Sequence, residues 1–310
     1  MYLKLFCGSS NPQLSEKVSR FLNVPLGDLM LGRFPDGEIT VKANTDVRGS
    51  DVFLIQPTCP PVNENLMELF LMLDCFRRAS AQRITVVMPY FGYARQDRKT
   101  EGRVPISAKL VANLITKAGA NRVVTIDLHA GQIQGFFDIP LDHLYARNIF
   151  IEYIESLRLD NIVVVSPDTG GIQMARAYSN RLGATFATVD KTRISPTEVK
   201  SGYVIGEVEG KNVILVDDII ATGGSIVAAS HILKEHGAEK IYVCATHGIF
   251  CKDGVEKLSQ APIEQIIVTD TIPQRQDLPD KFKVLTVARM LGEAILRIHT
   301  NQSVSALFRI

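Results

Sequence analysis

Two adjacent carboxylates follow an apolar run in the second half of the chain, and a turn of small residues comes next. Val213–Val216 leads into Asp217 and Asp218, then into Thr222–Ser225 and the helical pattern Ile226–His236. Glycines let backbone N–H groups close around a phosphate, and a helix N-terminus adds partial positive charge. The carboxylates lie where they can accept hydrogen bonds from sugar hydroxyls. We expect a sugar-phosphate site here; the alternative is a strand that ends in a solvated acid pair before an ordinary turn.

A basic segment in the first half has the composition of a polyphosphate-binding loop. Tyr93–Pro105 has Gly92 before it and Gly102 inside it, which predicts an exposed and mobile loop. Arginine side chains grip phosphate oxygens through two parallel hydrogen bonds. The same composition also suits a solvated surface loop. The cations of the segment are Arg95, Arg98, Lys99 and Arg103.

A pair of cations follows another predicted strand. Lys191 and Arg193 are two positions apart, directly after Thr185–Val189 and Asp190. In an extended chain, residues with this spacing point to one face. Two cations aimed at one place can neutralise charge that builds on a phosphoryl group during transfer. A solvated pair is the competing interpretation.

The segment Gly32–Glu38 carries a weaker signal for a nucleobase. Phe34 could stack on a base, while Asp36 and Glu38 could accept hydrogen bonds from an exocyclic amine. A Pro-Asp-Gly turn between two strands explains the same residues more simply.

Single polar residues follow two more of the predicted strands. His129 comes after Val123–Leu128, where an imidazole could bind a metal or a phosphate, although a lone histidine is more often structural. Asp168 comes after Ile162–Ser166 and precedes Thr-Gly-Gly and a helix. A carboxylate at that place could hold Mg²⁺ beside a phosphate.

These residues need a scaffold that gathers strand ends, and the hydrophobic pattern predicts one. Short apolar runs alternate with helical patterns, which is typical of parallel sheets covered by helices on both faces. Ligands of such sheets bind at the carboxyl ends of the strands. We expect an α/β fold of two similar domains, 1–147 and 148–310, each with a mainly parallel sheet flanked by helices. The predicted strands are Leu3–Cys7, Val52–Gln56, Ile84–Pro89, Val123–Leu128, Ile162–Ser166, Thr185–Val189, Val213–Asp217, Ile241–Ala245 and Ile266–Thr269, and the predicted helices are Asn63–Ala79, Ile106–Ala118, Gly171–Leu182, Ile226–His236 and Ala288–Ile298.

The bulk properties exclude several classes of protein. The 310 residues carry a formal net charge of +1, which argues against a broad nucleic-acid or anionic-membrane surface. The five cysteines form no CxxC pair, so neither a zinc site nor a disulfide framework is indicated, and a reducing cytoplasm is the simplest setting. No signal peptide, membrane-spanning run, P-loop motif or GxGxxG motif after a strand is present.

Together the motifs resemble one family, ribose-phosphate diphosphokinase, also called PRPP synthetase, over nearly the whole chain. The resemblance implies a phosphoribosyltransferase type I-like fold. It also implies Mg²⁺-dependent transfer of the diphosphoryl group of ATP to the C1 hydroxyl of ribose 5-phosphate, giving PRPP and AMP. The matching segments are RFPDGE at Arg33–Glu38, QPTCPPVNENLMEL at Gln56–Leu69, PYFGYARQDRK at Pro89–Lys99, DLHAGQIQGFFDIP at Asp127–Pro140, SPDTGG at Ser166–Gly171 and VDDIIATGGS at Val216–Ser225.

The resemblance implies a role for each candidate residue. The first domain would supply the ATP contacts and a loop, Lys99–Val104, that closes over the reaction; the second would supply the sugar-phosphate turn and the transition-state cations Lys191 and Arg193. His129 and Asp168 would form the Mg²⁺ site. The ATP contacts would be Phe34, Asp36 and Glu38, reaching the adenine of a neighbouring subunit, together with Arg95, Gln96, Lys99 and His129. The ribose 5-phosphate contacts would be Asp217, Asp218, Ala221, Thr222, Gly223, Gly224 and Ser225.

The longer form of the family is activated by inorganic phosphate and inhibited by ADP, and it is typically a hexamer built from dimers. We therefore expect a homo-oligomer with both kinds of control. The positions that resemble the regulatory phosphate site are Arg48, Ser80, Ser303 and Ser305.

The chain departs from the common family pattern in the sugar-phosphate turn. Ala221 stands where the usual form has Asp, and Ser225 where it has Thr. A serine keeps the hydroxyl, whereas Ala221 removes a carboxylate near the anomeric carbon, so we expect altered efficiency rather than loss of function. Three alternatives stay open. One is a non-catalytic regulatory homologue of the synthetase, and another is a type I phosphoribosyltransferase, which would share the turn but would not need the first domain. The third is a broad-specificity variant that accepts another nucleoside triphosphate, since the adenine contacts are few.

Overall fold

The apolar runs form two separate, mainly parallel sheets, one in each of two structural units. The computed structural model describes residues 1–195 and 198–307, with the side chains of 1–190, 202–305 and 307. The first unit contains Met1–Tyr145, Thr271–Pro273 and the residues from Thr286 onward, and the second contains Ala146–Asp270 and Gln274–Leu285.

The first unit is built on a five-stranded sheet in the order β1-β4-β5-β6-β7, with every neighbouring pair parallel. A separate antiparallel hairpin, β2–β3, projects beside it. The strands are β1 (Leu3–Cys7), β2 (Leu29–Arg33), β3 (Ile39–Ala43), β4 (Asp51–Ile55), β5 (Arg83–Met88), β6 (Arg122–Ile126) and β7 (Leu141–Leu144). The helices of this unit are α1 (Pro12–Leu22), α2 (Val62–Arg78), α3 (Ser107–Ala118) and the last helix of the chain, α8 (Ala288–His299).

The second unit is built on a seven-stranded sheet in the order β10-β9-β8-β11-β12-β13-β14, parallel except for the edge strand β10. The strands are β8 (Ile162–Ser166), β9 (Thr185–Ser195), β10 (Glu198–Ile205), β11 (Asn212–Ile220), β12 (Lys240–Gly248), β13 (Gln265–Thr269) and β14 (Phe282–Leu285). The helices are α4 (Arg147–Ser156), α5 (Ile172–Leu182), α6 (Gly224–Glu235) and α7 (Gly254–Gln260). Short 3₁₀ turns occur at Gly131–Phe136, Thr169–Gly171 and Val304–Leu307.

The predicted α/β architecture is confirmed, because each predicted strand and helix overlaps an observed one. Central strands such as β4 are buried along their whole length, which is why they read as continuous apolar runs rather than alternating ones. Strands β2 and β3 were expected only as the two strands around the Pro-Asp-Gly turn, without bounds. Elements with shorter or more polar patterns escaped the sequence analysis: α1, β7, α4, β10, α7 and β14.

The C-terminal helix α8 belongs to the first unit, whereas the sequence analysis placed all of 148–310 in the second domain. It packs against α1 and is held by an ionic cluster around Asp51, which is fully buried at the start of β4. Asp51 accepts hydrogen bonds from Arg83 Nε at 2.8 Å and Nη2 at 2.5 Å, and it contacts His299 Nδ1 at 2.8 Å. Arg83 also donates to the carbonyl oxygen of Ile298 at 3.1 Å. The end of α8 is thus joined to β4 and β5 across more than 200 positions of sequence.

Within the described residues, no helix combines the length and the apolar character needed to cross a membrane.

Replacing Asp51 by alanine should lower the free energy of unfolding by about 3 kcal/mol, because Arg83 would lose its buried partner and α8 its anchor. Asp74→Ala is the matched control, since Asp74 pairs with two arginines, Arg77 and Arg78, on an exposed helix face, where ion pairs contribute little. Urea unfolding of both variants measures the difference. Equal losses in the two variants would show that the Asp51 cluster does not hold the helix.

Candidate functional site

The carboxyl edge of the second sheet brings together three of the predicted site carboxylates. Strands β8 and β11 are neighbours and pair in parallel, with Val165 beside Leu215. Asp168 follows the end of β8, and Asp217 and Asp218 lie near the end of β11, so all three face the same edge. The negative charge of Asp168 acts on Asp217, which places the two carboxylates within electrostatic reach of each other.

Asp217 and Asp218 form a tightly coupled acid pair. Both are half-buried, and Oδ1 of Asp217 accepts the backbone N–H of Asp218 at 2.8 Å. Burial raises the pKa of Asp217 well above its usual range, and the adjacent charge of Asp218 raises it further. A carboxylate held in this state gains from any ligand that donates hydrogen bonds to it.

The turn after β11 opens onto the N-terminus of α6. Gly223 caps the helix with φ +75°, and a Cβ there would lie 2.9 Å from Leu258 of α7, so both its backbone angle and its surroundings require glycine. Thr222, Gly224 and Ser225 are exposed. The first N–H groups of a helix have no partner within it, so this turn presents them at the edge that carries the acid pair. The predicted order of strand, acid pair, small-residue turn and helix is therefore observed.

Asp168 organises the Thr-Gly-Gly turn that follows it. Its Oδ1 accepts the N–H groups of Gly170 at 2.9 Å and Gly171 at 3.2 Å, and its carbonyl oxygen accepts from Ser166 Oγ at 2.6 Å. The carboxylate is exposed, so it can contact a ligand while holding the turn.

Lys191 and Arg193 are residues of β9, the neighbour of β8. Lys191 pairs with Gly202 of β10, and Arg193 pairs with Val199. Their side chains lie outside the described residues. The strand prediction for 185–189 is confirmed, and β9 extends it through both cations.

In the first unit, the segment read as a nucleobase contact is the tip of the β2–β3 hairpin. Phe34 N–H donates to the carbonyl of Glu38 at 2.8 Å, and Asp36 Oδ1 accepts the N–H of Glu38 at 3.1 Å. The Pro-Asp-Gly turn between two strands is therefore present, and the side chains of Phe34, Asp36 and Glu38 are all exposed on it.

The basic segment is a loop between β5 and α3. Arg95, Gln96 and Lys99 are exposed in it. The side-chain carbonyl of Gln96 accepts a hydrogen bond from Ser107 Oγ, and its backbone carbonyl accepts the N–H of Ala108 at 3.2 Å. Gln96 thus caps the first turn of α3, a structural role that the sequence analysis missed.

His129 is exposed just beyond the end of β6. The residues before it form a sharp turn: Asp127 is buried with φ +39°, and the N–H of Leu128 donates to Nε2 of His143 at 2.8 Å. His143 lies on β7, and the pairing of β7 with β6 brings it beside this turn, which the sequence alone does not show. His129 belongs to the first unit and Asp168 to the second.

The positions expected to bind regulatory phosphate form two pairs in the first unit. Arg48 Nη1 lies 3.5 Å from Ser80 Oγ. Ser303 and Ser305 line a cavity of about 380 Å³. The charged residues of that cavity, which the sequence analysis missed, are Arg83, Arg122 and Asp142.

Among the described residues, no group of three or more His, Cys, Asp and Glu side chains forms a ready-made metal cage.

Comparison with known proteins agrees with the predicted family and architecture. Residues 3–119 match the model of the N-terminal domain of ribose phosphate pyrophosphokinase, and residues 188–309 match the model of the phosphoribosyl synthetase-associated domain. The solved structure of phosphoribosylpyrophosphate synthetase from Mycobacterium smegmatis is 40% identical, with a TM-score of 0.93 over 97% of this chain and 100% of that one.

Full-length relatives give the same result. The ribose-phosphate pyrophosphokinases of Rhodopirellula baltica and Thermotoga maritima are each 55% identical to it, over 99% of this chain and 98% of theirs. With this identity over almost its whole length, the chain belongs to the ribose-phosphate pyrophosphokinase family.

Proposed function

We propose that the chain transfers the diphosphoryl group of ATP to the C1 hydroxyl of ribose 5-phosphate, with the turn after β11 as the sugar-phosphate site. The observation that carries the proposal is the half-buried acid pair beside the open N-terminus of α6. The C1 oxygen bonds to the β-phosphorus of ATP while the bond from that phosphorus to the oxygen of the α-phosphate breaks. AMP leaves with the bonding electrons, and the C1 hydroxyl loses its proton.

The two ends of the sugar suit two different parts of the site. The 5-phosphate would bind at Thr222–Ser225, where backbone N–H groups and the helix dipole favour negative charge. The ribose diol would donate hydrogen bonds to Asp217 and Asp218 and so offset the cost of holding two carboxylates away from water. This division orients the C1 hydroxyl away from the phosphate-binding turn.

The first unit would supply the nucleotide contacts. Exposed Phe34 can stack on adenine, and Asp36 and Glu38 can accept from its amino group, reaching a neighbouring subunit of a homo-oligomer, for which we propose the family's hexamer. Arg95, Gln96, Lys99 and His129 would contact the ATP phosphates. Residues 99–104 would close over the reaction and exclude water, which protects ATP from hydrolysis.

Magnesium fits the donor chemistry of the site. Mg²⁺ prefers oxygen ligands, keeps several waters and is commonly bound by one or two carboxylates plus substrate phosphates, so it does not need a protein cage. Exposed Asp168 supplies such a carboxylate, and His129 would complete the Mg²⁺ and ATP site. When bound, the ion neutralises phosphate charge.

Lys191 and Arg193 would neutralise the charge that develops on the transferring group, because phosphoryl transfer depends on positioning and electrostatics more than on covalent chemistry. Regulation by inorganic phosphate and ADP would act through Arg48, Ser80, Ser303 and Ser305.

One observation favours a second candidate, a regulatory homologue without activity: Ala221 supplies no carboxylate next to the anomeric carbon. The direct test is ³¹P NMR of the purified protein with ATP, ribose 5-phosphate, Mg²⁺ and phosphate, with AMP measured alongside. Equal amounts of PRPP and AMP support the proposal. Folded protein without turnover would favour the regulatory homologue.

Lys191→Ala should lower kcat about a hundredfold or more while KM for either substrate changes little, because the charge it neutralises develops only in the transition state. The control is Lys240→Ala, which removes an exposed lysine at the amino-terminal end of β12, the end opposite the candidate site. It should leave kcat unchanged. Steady-state kinetics of PRPP formation measure both. A large rise in KM with normal kcat would assign Lys191 to substrate binding instead.

Asp217→Asn should stabilise the ligand-free protein at neutral pH. The pKa of Asp217 is raised in the folded state, so folding favours the protonated carboxyl group. The stability that the protonated group contributes is complete below the pKa of about 4 that Asp has in the unfolded chain. It is lost as the pH rises through the pKa of the folded state. Asparagine stays neutral, so the advantage of the variant over wild type should grow as pH increases. Urea unfolding at several pH values measures this difference. A difference that does not change with pH would contradict the raised pKa.

A further inference from the structure

The segment 249–254, which follows β12, extends the pairing with β11 as far as the sugar-phosphate turn. The N–H groups of Ile249 and Phe250 donate to the carbonyl of Ile220 at 2.9 and 3.3 Å. The N–H of Cys251 donates to the carbonyl of Ala221 at 2.8 Å. The backbone immediately before Thr222 is therefore fixed by this segment and not by β11 alone.

The segment adopts an unfavourable backbone. Phe250 has φ +50° and Lys252 has φ +57°, a left-handed region that is unfavourable for residues other than glycine. Such a conformation persists only where surrounding contacts stabilise it, so the contacts of the segment show what holds it.

The ring of Phe250 is the main contact. It packs edge-to-face against Phe282, with ring centroids 5.3 Å apart and an interplanar angle of 89°. It also lies over the backbone of Gly248, where an added Cβ would come 2.6 Å from the ring atom Cε2. The ring thus occupies a slot between the end of β12 and the start of β14, and its packing there fixes the backbone position of segment 249–254.

The far end of the segment touches the turn as well. Gly254 begins α7, and a Cβ at that position would lie 3.3 Å from the carbonyl oxygen of Thr222. The same helix supplies Leu258, which fills the space beside Gly223. Both sides of the turn are therefore packed against the segment and the helix that follows it.

We propose that Phe250 is a positioning residue for the sugar-phosphate turn. Its ring fixes segment 249–254, whose N–H groups hold the carbonyls of Ile220 and Ala221 and so aim the N–H groups of Thr222–Ser225 at the 5-phosphate. Phe250 contacts the turn only through the backbone of this segment, and the inference rests on the proposed function of the turn. Loosening the ring weakens binding of ribose 5-phosphate, while the proposed ATP contacts of the first unit and Asp168 after β8 stay as they are.

Two variants and their combination test the proposal. Phe250→Leu removes the edge-to-face contact, and Gly248→Ala pushes the ring out of its slot. Each should raise KM for ribose 5-phosphate about tenfold and leave KM for ATP within about twofold. In the double variant the added methyl group no longer meets the ring, although it still lies 3.1 Å from Val268 Cγ1, so KM for ribose 5-phosphate should stay well below the product of both effects.

Leu278→Ala is the matched control, because Leu278 packs against the same core as Phe250 and no hydrogen bond in the described structure links it to the turn. It should lower the unfolding midpoint comparably and leave both KM values unchanged. Any of three results would overturn the proposal: an unchanged KM for ribose 5-phosphate in the folded variants, an equal rise in KM for both substrates, or an equal rise in KM for ribose 5-phosphate in Leu278→Ala. If Phe250→Leu does not fold, Gly248→Ala decides alone.

The failure of the proposed function is a different result. Wild-type protein that forms no PRPP would refute that function. Calorimetric titration of the same variants with ribose 5-phosphate would then still show whether Phe250 controls sugar-phosphate affinity, with the same tenfold loss expected and no loss contradicting it.

Discussion

The site depends on holding two neighbouring carboxylates partly out of water at the end of a buried strand. Burial raises the pKa of Asp217. The packing of the rest of the second unit offsets the free-energy cost of that burial. β11 is buried from Asn212 to Val216 and is paired there with β8 up to Leu215, while β12 continues beside it to Asp217 and beyond, so the acid pair is held half-buried where the pairing with β8 has ended. In the proposed function, the diol of the sugar would donate further hydrogen bonds to this pair.

The two units use the same strand–turn–helix arrangement in opposite ways. In the first unit, the turn after β1 is held by side chains of the protein: Ser9 N–H and Oγ donate to Glu68, and Ser10 N–H and Oγ donate to Gln56. Gln56 in turn donates to Glu68 at 2.8 Å, which completes a buried polar network. In the second unit the turn after β11 consists of small residues, and Thr222, Gly224 and Ser225 are exposed in it.

The local parts of this account could be predicted from the sequence, and the long-range parts could not. The order from Val213 to His236 follows from apolar continuity, glycine and helix periodicity, all of which act within a few residues. The return of α8 to the first unit depends on His299 meeting Asp51, and no local pattern links residues so far apart. The role of segment 249–254 was equally hidden, because its hydrogen bonds are made by backbone N–H groups that any residue except proline supplies.

The central claim is that the acid pair recognises the ribose diol while the helix N-terminus binds the phosphate. Calorimetric titration of the wild-type protein with ribose 5-phosphate and with 2-deoxyribose 5-phosphate tests it most directly, since the second sugar lacks one hydroxyl of the diol. A hydrogen bond to a charged group contributes about 1.5–3 kcal/mol, so we expect the deoxy sugar to bind about tenfold or more weakly. Asp218→Asn should reduce this preference while phosphate-dependent binding remains. Equal affinity of the wild-type protein for the two sugars would contradict the account.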